Sequence, residues 1–267
     1  MGHRAEPHDR HLRDRARHDL ASYVTAELRG NCAERVSRIA DDEFEVEIDD
    51  GRRECARRLV LATGVRDRLP DIEGILEHYG ASAFHCATCD GYEARDRDVV
   101  VVGWSEHVAG FSLGLLDWAR SVTVVTDGRS FEGSTAHRDH LAAAAIEVCE
   151  DVVAEMVGPR GALATVRLAS GATIPCQMLF FSIAHEPAST IAEQLGCRIS
   201  DEGCVIVDER CETTVTGLFA AGDMTPGIQL VQVASAKGAV AGVACAESLR
   251  GEPAIPGIPE PAPDADA

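Results

Sequence analysis

The apolar residues of this chain fall into short blocks, most with a period of two or none and a few with helical spacing. Glu43-Phe44-Glu45-Val46-Glu47-Ile48 alternates strictly, which predicts a half-buried strand, and Asp49-Asp50-Gly51 follows as a hairpin turn. Residues 55–61 then read as the returning strand. Leu59-Val60-Leu61-Ala62-Thr63-Gly64 is a buried strand running into a glycine turn. Asp98-Val99-Val100-Val101-Val102-Gly103 is a continuous β-branched run, as expected of a central parallel strand buried on both faces. Residues 105–119 have helical character and 121–126 form the next strand, so this stretch is a βαβ unit. Further on, the pattern predicts a helix over 137–145, a strand over 147–153, and a hairpin from 164–168 and 173–175. It also predicts strands at 178–183, 204–207 and 217–223, and a helix over 229–250. The polar N-terminal stretch leads into a helix from about residue 9 to 23. From Gly251 onward Pro, Ala, Gly and Asp dominate, which predicts a disordered tail, residues 251–267. No internal repeat of solenoid period is present.

Composition narrows the class. The 267 residues suffice for one large domain or two modest ones, and a hydrophobic content of 45% suits a globular core. Aromatic residues make up 4%, so aliphatic side chains must fill that core. There is no apolar run of membrane-spanning length and the N-terminus has no signal-peptide core, so no membrane association is expected. Ten cysteines without a secretory signal point to a reducing, cytoplasmic setting. The formal charge is −19, and Lys237 is the only lysine. Such an acidic surface disfavours nucleic acid and anionic membranes. It suits either a salt-rich cytoplasm or an ordinary acidic exterior.

The candidate chemistry lies in His85-Cys86-Ala87-Thr88-Cys89-Asp90-Gly91. A Cys-x-x-Cys pair can close and reopen a small disulfide ring, which suits two-electron exchange with another thiol pair. Asp90 could hold or deliver the proton that this exchange needs. The same spacing also serves half a zinc site or two buried cysteines, but zinc needs a second ligand pair and the other eight cysteines are scattered singly. No metal is therefore expected, and His3, His8, His11 and His18 read as solvated side chains.

Four motifs together resemble one family. Leu61-Ala62-Thr63-Gly64, Cys86-Ala87-Thr88-Cys89-Asp90-Gly91, Val102-Gly103 and Gly217-Leu218-Phe219-Ala220-Ala221-Gly222-Asp223 stand in the order and spacing of low-molecular-weight thioredoxin reductases, over about residues 15–250. The resemblance implies an α/β fold of two Rossmann-like halves. The flavin-type half would hold residues 1–94 and 212–250, with a pyridine-nucleotide-type half, residues 95–211, inserted in it. It implies that electrons pass from a nicotinamide cofactor through FAD to the cysteine pair and on to a thioredoxin-like protein or small disulfide substrate. By motif position Cys89 would lie nearest the flavin, Cys86 would attack the substrate, and Asp90 would be the acid/base. Thr63, Gly64, Gly222 and Asp223 would serve FAD, Asp223 at its ribityl or phosphate region. The helix N-terminus at Gln232 and Val233 would face the flavin pyrimidine edge. Gly103, Ser105 and Asp127 would serve the nicotinamide cofactor. Relatives are homodimers.

The sequence departs from that family in three places. Before Gly64 it has only Gly2, Gly30 and Gly51, none in a Gly-x-Gly-x-x-Gly turn, so the expectation is a flavin half short of its first strand and helix. The internal nucleotide turn, Gly103-Trp104-Ser105-Glu106-His107-Val108, has serine where the family has its second glycine, a bulky Trp104, and a carboxylate at the helix start. Asp127-Gly128-Arg129 follows the next strand, and a carboxylate there accepts from a ribose hydroxyl and repels a 2′-phosphate, which favours NADH over NADPH. Asp127-Gly128 also reads simply as a turn. Two alternatives follow: a non-catalytic remnant or subunit that binds a partner, or a flavin dithiol enzyme fed by another donor such as ferredoxin.

Overall fold

The alternation of residues 43–48 becomes the middle strand of an antiparallel meander in the computed structural model, which describes residues 7–183 and 185–250. The stretch before Pro7 and the tail from Gly251 lie outside the described residues. Helix α1 (Pro7–Leu20) precedes the meander of β1 (Ala33–Ala40), β2 (Glu43–Ile48) and β3 (Arg53–Ala56). Phe44 and Ile48 of β2 and Val36 of β1 point into the core. The single strand read over 55–61 is two strands. After β3 the chain turns at Arg57-Arg58, and β4 (Leu59–Leu61) joins a different sheet. The reason is Arg58, whose guanidinium donates to Ser248 Oγ at 2.8 Å and to the Ser248 carbonyl at 3.1 Å, which pins the turn. A short strand β5 (Val65–Asp67) follows.

The next stretch holds α2 (Ile75–His78), β6 (Ala83–Phe84), α3 (Ala87–Asp90), β7 (Asp98–Val102), α4 (His107–Leu115), β8 (Ser121–Val125), α5 (Thr135–Ala143) and β9 (Glu147–Cys149). It continues through β10 (Val153–Val157), β11 (Thr165–Leu168), β12 (Thr173–Pro175) and β13 (Met178–Phe181). Five strands form a parallel sheet in the order β6-β13-β7-β8-β9, so the β-branched run is central as expected. Side chains alternate across a strand, and one run therefore supplies two cores. Val99 and Val101 pack with Val122, Val124 and Phe180 on one face, beneath α4 and Leu141 of α5. Val100 and Val102 pack with Val125, Leu179 and Phe181 on the other, against Val153, Met156 and Val166 of the β10-β11-β12 meander. The strand read over 147–153 also divides, β9 staying in the parallel sheet and β10 opening the meander. Ser134 caps α5 by accepting from His137 N–H at 3.3 Å.

At the start of β7, Asp98 accepts from Arg120 Nε at 2.9 Å and from Ser121 Oγ at 2.6 Å. Arg120, and after it Ser121, hold the Asp98 carboxyl down from an ordinary 3.8 to about 2. The folded value is the lower one, so this contribution to stability is whole above about pH 4 and is lost as the pH falls toward 2. The side chain is 27% exposed, which limits the contribution to about 1 kcal/mol. Asp98→Asn should therefore cost stability in urea unfolding at pH 6 and about half as much at pH 3. An equal loss at both would show that the ionised carboxylate is not the stabilising group.

The chain ends through β14 (His185–Pro187), α6 (Ile191–Gln194), β15 (Leu218–Ala220), a 3-10 turn (Gly222–Met224) and α7 (Val231–Ser248). The strand expected at 204–207 is absent; Val205 and Val207 make only isolated bridges, to Ile199 and Thr213. β15 and β4 pair in parallel, Phe219 beside Val60, and among the described residues β4 has no second neighbour. Leu61, Leu218 and Ala220 pack with Phe44 and Val36, while Phe219 and Ala221 pack with Ala241 and Ala244 of α7.

The chain forms two compact units, one of the residues up to Arg66 and from Glu186 on, the other Asp67–His185. The sequence reading puts its boundaries at residues 95 and 211 instead. The inserted unit starts earlier because β6 bonds alongside β13, which ties residues 67–94 to the parallel sheet. It ends earlier because Ile191, Ala192, Cys197 and Val205 belong to the core of the other unit. The cysteine pair thus sits in the unit with the five-stranded sheet.

Candidate functional site

Strand β6 delivers the chain to His85, and Cys86 is the N-cap of α3. Cys86 and Cys89 are joined by a disulfide, with Cα atoms 5.2 Å apart. The helical turn creates that proximity, because a residue and its third neighbour share one helix face. Cys89 N–H donates to Cys86 Sγ at 3.0 Å, and Asp90 N–H donates to the Cys86 carbonyl at 3.0 Å. Cys89 is exposed; Cys86 and Asp90 are half-buried. The eight remaining cysteines are free thiols. Burial pushes the thiols of Cys197, Cys204 and Cys211 up, and that of Cys176 up to about 12, so none of these four is poised as a nucleophile.

Several residues around the pair carry no motif. Tyr79 Oη donates to Asp67 Oδ2 at 2.6 Å and lies 3.3 Å from His85 Nδ1, and His85 Nε2 is 3.5 Å from Asp67 Oδ1. The ring of His85 also packs against Phe181. After the pair, a Cβ at Gly91 would lie 3.1 Å from Trp118 Cδ1, so the indole rests directly on the backbone that leaves the cysteine turn. Tyr92 meets Trp118 edge-on, and Arg95 stands 4.6 Å over the Tyr92 ring. Only the glycine at 91 hints at such an approach in the sequence.

In the other unit the paired strands β4 and β15 bring Thr63, Gly64, Gly222 and Asp223 to one end of their sheet. Thr63 Oγ1 reaches Met224 Sδ at 3.5 Å. Gly64 and Gly222 have φ of 68° and 80°, backbone turns that suit glycine, and a Cβ at Gly64 would meet only open space. Gln232 and Val233 lie in the first turn of α7, whose N-cap, Leu230, provides no side-chain acceptor, so the first N–H groups remain open to a ligand. Gln232 and Val233 also line a hollow of about 700 Å³ with Cys211, Pro226, Lys237 and Val240. Open helix N–H groups beside a half-buried carboxylate fit the ribityl and pyrimidine part of FAD.

The nucleotide turn between β7 and α4 is tighter than its motif suggests. Gly103 is buried, and a Cβ there would come within 2.7 Å of Val108 Cγ2 and 2.9 Å of the Ser182 carbonyl. Packing already requires glycine here, whatever the turn binds. Ser105 is half-buried and Glu106 stands exposed at the N-cap of α4 without a capping bond. The Arg129 guanidinium covers the Trp104 ring at 3.9 Å. Asp127 has φ of 54°, and its Oδ1 accepts from Val153 N–H at 3.0 Å, so one carboxylate oxygen shapes the turn. Gly103, Ser105 and Asp127 do gather at the carboxyl ends of neighbouring strands β7 and β8, where open α/β sheets bind ligands. Among the described residues no group of three or more His, Cys, Asp or Glu could hold a metal ion, and no helix is long and apolar enough to cross a membrane.

The pyridine nucleotide-disulphide oxidoreductase family model matches residues 2–238. The chain belongs to this family. Among pyridine nucleotide-disulphide oxidoreductases, it is similar to a thioredoxin reductase of Gibberella zeae, 29% identical over 244 residues, which cover 78% of this chain and 70% of that one. It is also similar to a thioredoxin reductase of Rickettsia typhi, 29% identical, over 86% of this chain and 77% of that one. Among solved structures it resembles an oxidoreductase from Agrobacterium tumefaciens, with 32% identity, a TM-score of 0.81, and coverage of 91% of this chain and 81% of that one. It is thus a thioredoxin reductase-like member of the family, an FAD-dependent oxidoreductase with Rossmann-like architecture.

Proposed function

We propose that this protein carries electrons from a nicotinamide cofactor through FAD and the Cys86–Cys89 pair to a disulfide, either on a thioredoxin-like protein or in a small molecule. The observation that carries the reading is the closed disulfide in an accessible turn, next to Asp90. FAD, when bound, supplies a two-electron reservoir that opens this disulfide to a dithiol. Cys86 is then the nucleophile, since the Cys89 N–H aimed at its sulfur favours negative charge there. Its thiolate attacks one sulfur of the substrate disulfide, and the other sulfur leaves as a thiolate and takes a proton, for which Asp90 is the donor. Cys89 next attacks Cys86 Sγ, which releases the second substrate thiol and reforms the Cys86–Cys89 bond. Two electrons and two protons reach the substrate.

Thr63, Gly64, Gly222, Asp223, Gln232 and Val233 hold the flavin, and Gly103, Ser105 and Asp127 receive the nicotinamide cofactor. NADH is favoured, because the Asp127 carboxylate repels a 2′-phosphate. The eight free thiols suit the reducing cytoplasm, and the exposed Val231 and Val243 of α7 suit a homodimer. A second reading of the electron source rests on the closed nucleotide turn: with Arg129 stacked on Trp104 and Glu106 at the helix start, a donor such as ferredoxin replaces the nicotinamide.

The test is the visible spectrum. Purified protein should show flavin absorbance, or gain it on adding FAD, and NADH should bleach it. Bleaching by reduced ferredoxin but not by NADH or NADPH selects the second reading. Colourless protein that takes up no FAD overturns both and leaves a non-catalytic subunit.

A further inference from the structure

The chain has 25 basic residues of the Lys and Arg types, and the only lysine among them is Lys237, in α7. Its ammonium donates to three acceptors: Thr225 Oγ1 at 2.8 Å, the Thr225 carbonyl at 3.3 Å and the Pro226 carbonyl at 2.6 Å. All three lie in the loop that follows β15. Thr225 is itself buried and folds back on Gly222, donating to its carbonyl through N–H at 3.0 Å and through Oγ1 at 2.7 Å. The loop continues past the ammonium at Gly227, where φ is 118° and a Cβ would stand 3.5 Å from Lys237 Nζ. Asp223 lies inside this closed stretch, and its carbonyl accepts from Gln229 Nε2 at 3.5 Å.

The residue type fits the geometry. An ammonium presents three donors around one nitrogen, whereas a guanidinium spreads its donors in a rigid planar fork. Acceptors converging on one point from neighbouring residues need the ammonium. A chain that uses arginine at every other basic position of the two types keeps lysine at the place where arginine does not fit.

We propose that Lys237 is a positioning residue: it clamps residues 222–227 onto α7, so that Asp223 and the open N–H groups of the α7 first turn face the flavin in one fixed arrangement. The proposal rests on the flavin reading given above. Lys237 touches the loop and not the reacting atoms.

The test uses the full chain with Lys237→Met, Lys237→Arg and, from the loop side, Thr225→Val. Hydrogen exchange of a peptide spanning 222–228, without flavin, should be about tenfold faster in all three, while β7 and α4 exchange as in the wild type. FAD should bind about tenfold more weakly, as expected when the binding-competent loop arrangement is populated about a tenth of the time. At saturation the visible circular dichroism of the bound flavin should differ from wild type, a signature that general loss of stability does not produce. Lys237→Arg keeps the charge and should recover little of the affinity. Wild-type exchange at 222–228 in Lys237→Met overturns the clamp. Faster exchange with unchanged FAD affinity and dichroism overturns the positioning role. A wild-type chain that takes up no FAD refutes the flavin reading and with it the positioning role, and the exchange measurement alone then decides whether the clamp exists.

Discussion

Cys86→Ser should lower disulfide turnover by about 10³-fold or more, because a serine hydroxyl at neutral pH offers almost no anion to attack sulfur. The four buried cysteines cannot take its place. Cys176, Cys197, Cys204 and Cys211 are buried with thiols pushed up. Cys89, the one neighbour, would have lost its resolving partner. Cys89→Ser should behave differently. It retains the attacking sulfur and cannot release the product, so the variant should accumulate a covalent adduct through Cys86 that mass spectrometry finds and a reductant removes. The two variants together separate the roles: turnover for the first, a trapped mixed disulfide for the second. Wild-type turnover in Cys86→Ser would end the dithiol reading, and an adduct on Cys89 in Cys86→Ser would reverse the two roles.

Phe180→Ala should be the most damaging single truncation in the parallel sheet, at about 3–5 kcal/mol. Phe180 is fully buried on β13, between β6 and β7, with ring centroids 5.7 Å from Phe84 and 6.2 Å from Phe111. The cavity left by the ring would have rigid walls, since strands hydrogen-bonded on both sides cannot collapse into it. Urea unfolding measures the loss, and a change below about 1 kcal/mol would mean that the core relaxes around the gap. Phe84 lies two residues before Cys86, so the same variant should also loosen the floor of the redox turn. Faster reduction of the Cys86–Cys89 bond by a small dithiol would report that effect.

Residues 98–102 announce their place because a run of β-branched side chains satisfies a sheet that is covered on both faces, and the structure puts them at its centre. The period of two in 43–48 likewise fixes which side of β2 is inside. The disulfide turn is legible because its geometry is local: four consecutive residues set the positions of the two sulfurs. What the sequence conceals is long-range. Residues 55–61 look like one strand because nothing local records that Arg58 bonds to Ser248, 190 positions away. The residues packed on the flanks of the cysteine turn, Asp67 and Tyr79 at His85 and Trp118 at Gly91, sit on separate elements and share no spacing. The Lys237 clamp has no motif either; only the rarity of lysine marks it. At Gly103 the sequence suggests a phosphate cradle, and the surrounding atoms add a demand that no motif records, the close approach of Val108 and Ser182.

The contact between Trp118 and Gly91 has an optical consequence. The protein contains two tryptophans, and one of them leans on the backbone two residues beyond Cys89. Any relaxation of that turn as the sulfur bridge opens changes the polarity around an indole that is already partly in water. If the turn relaxes in this way, the emission colour of Trp118 in a Trp104→Phe variant should shift as the protein is reduced, a native gauge readable without dye or label.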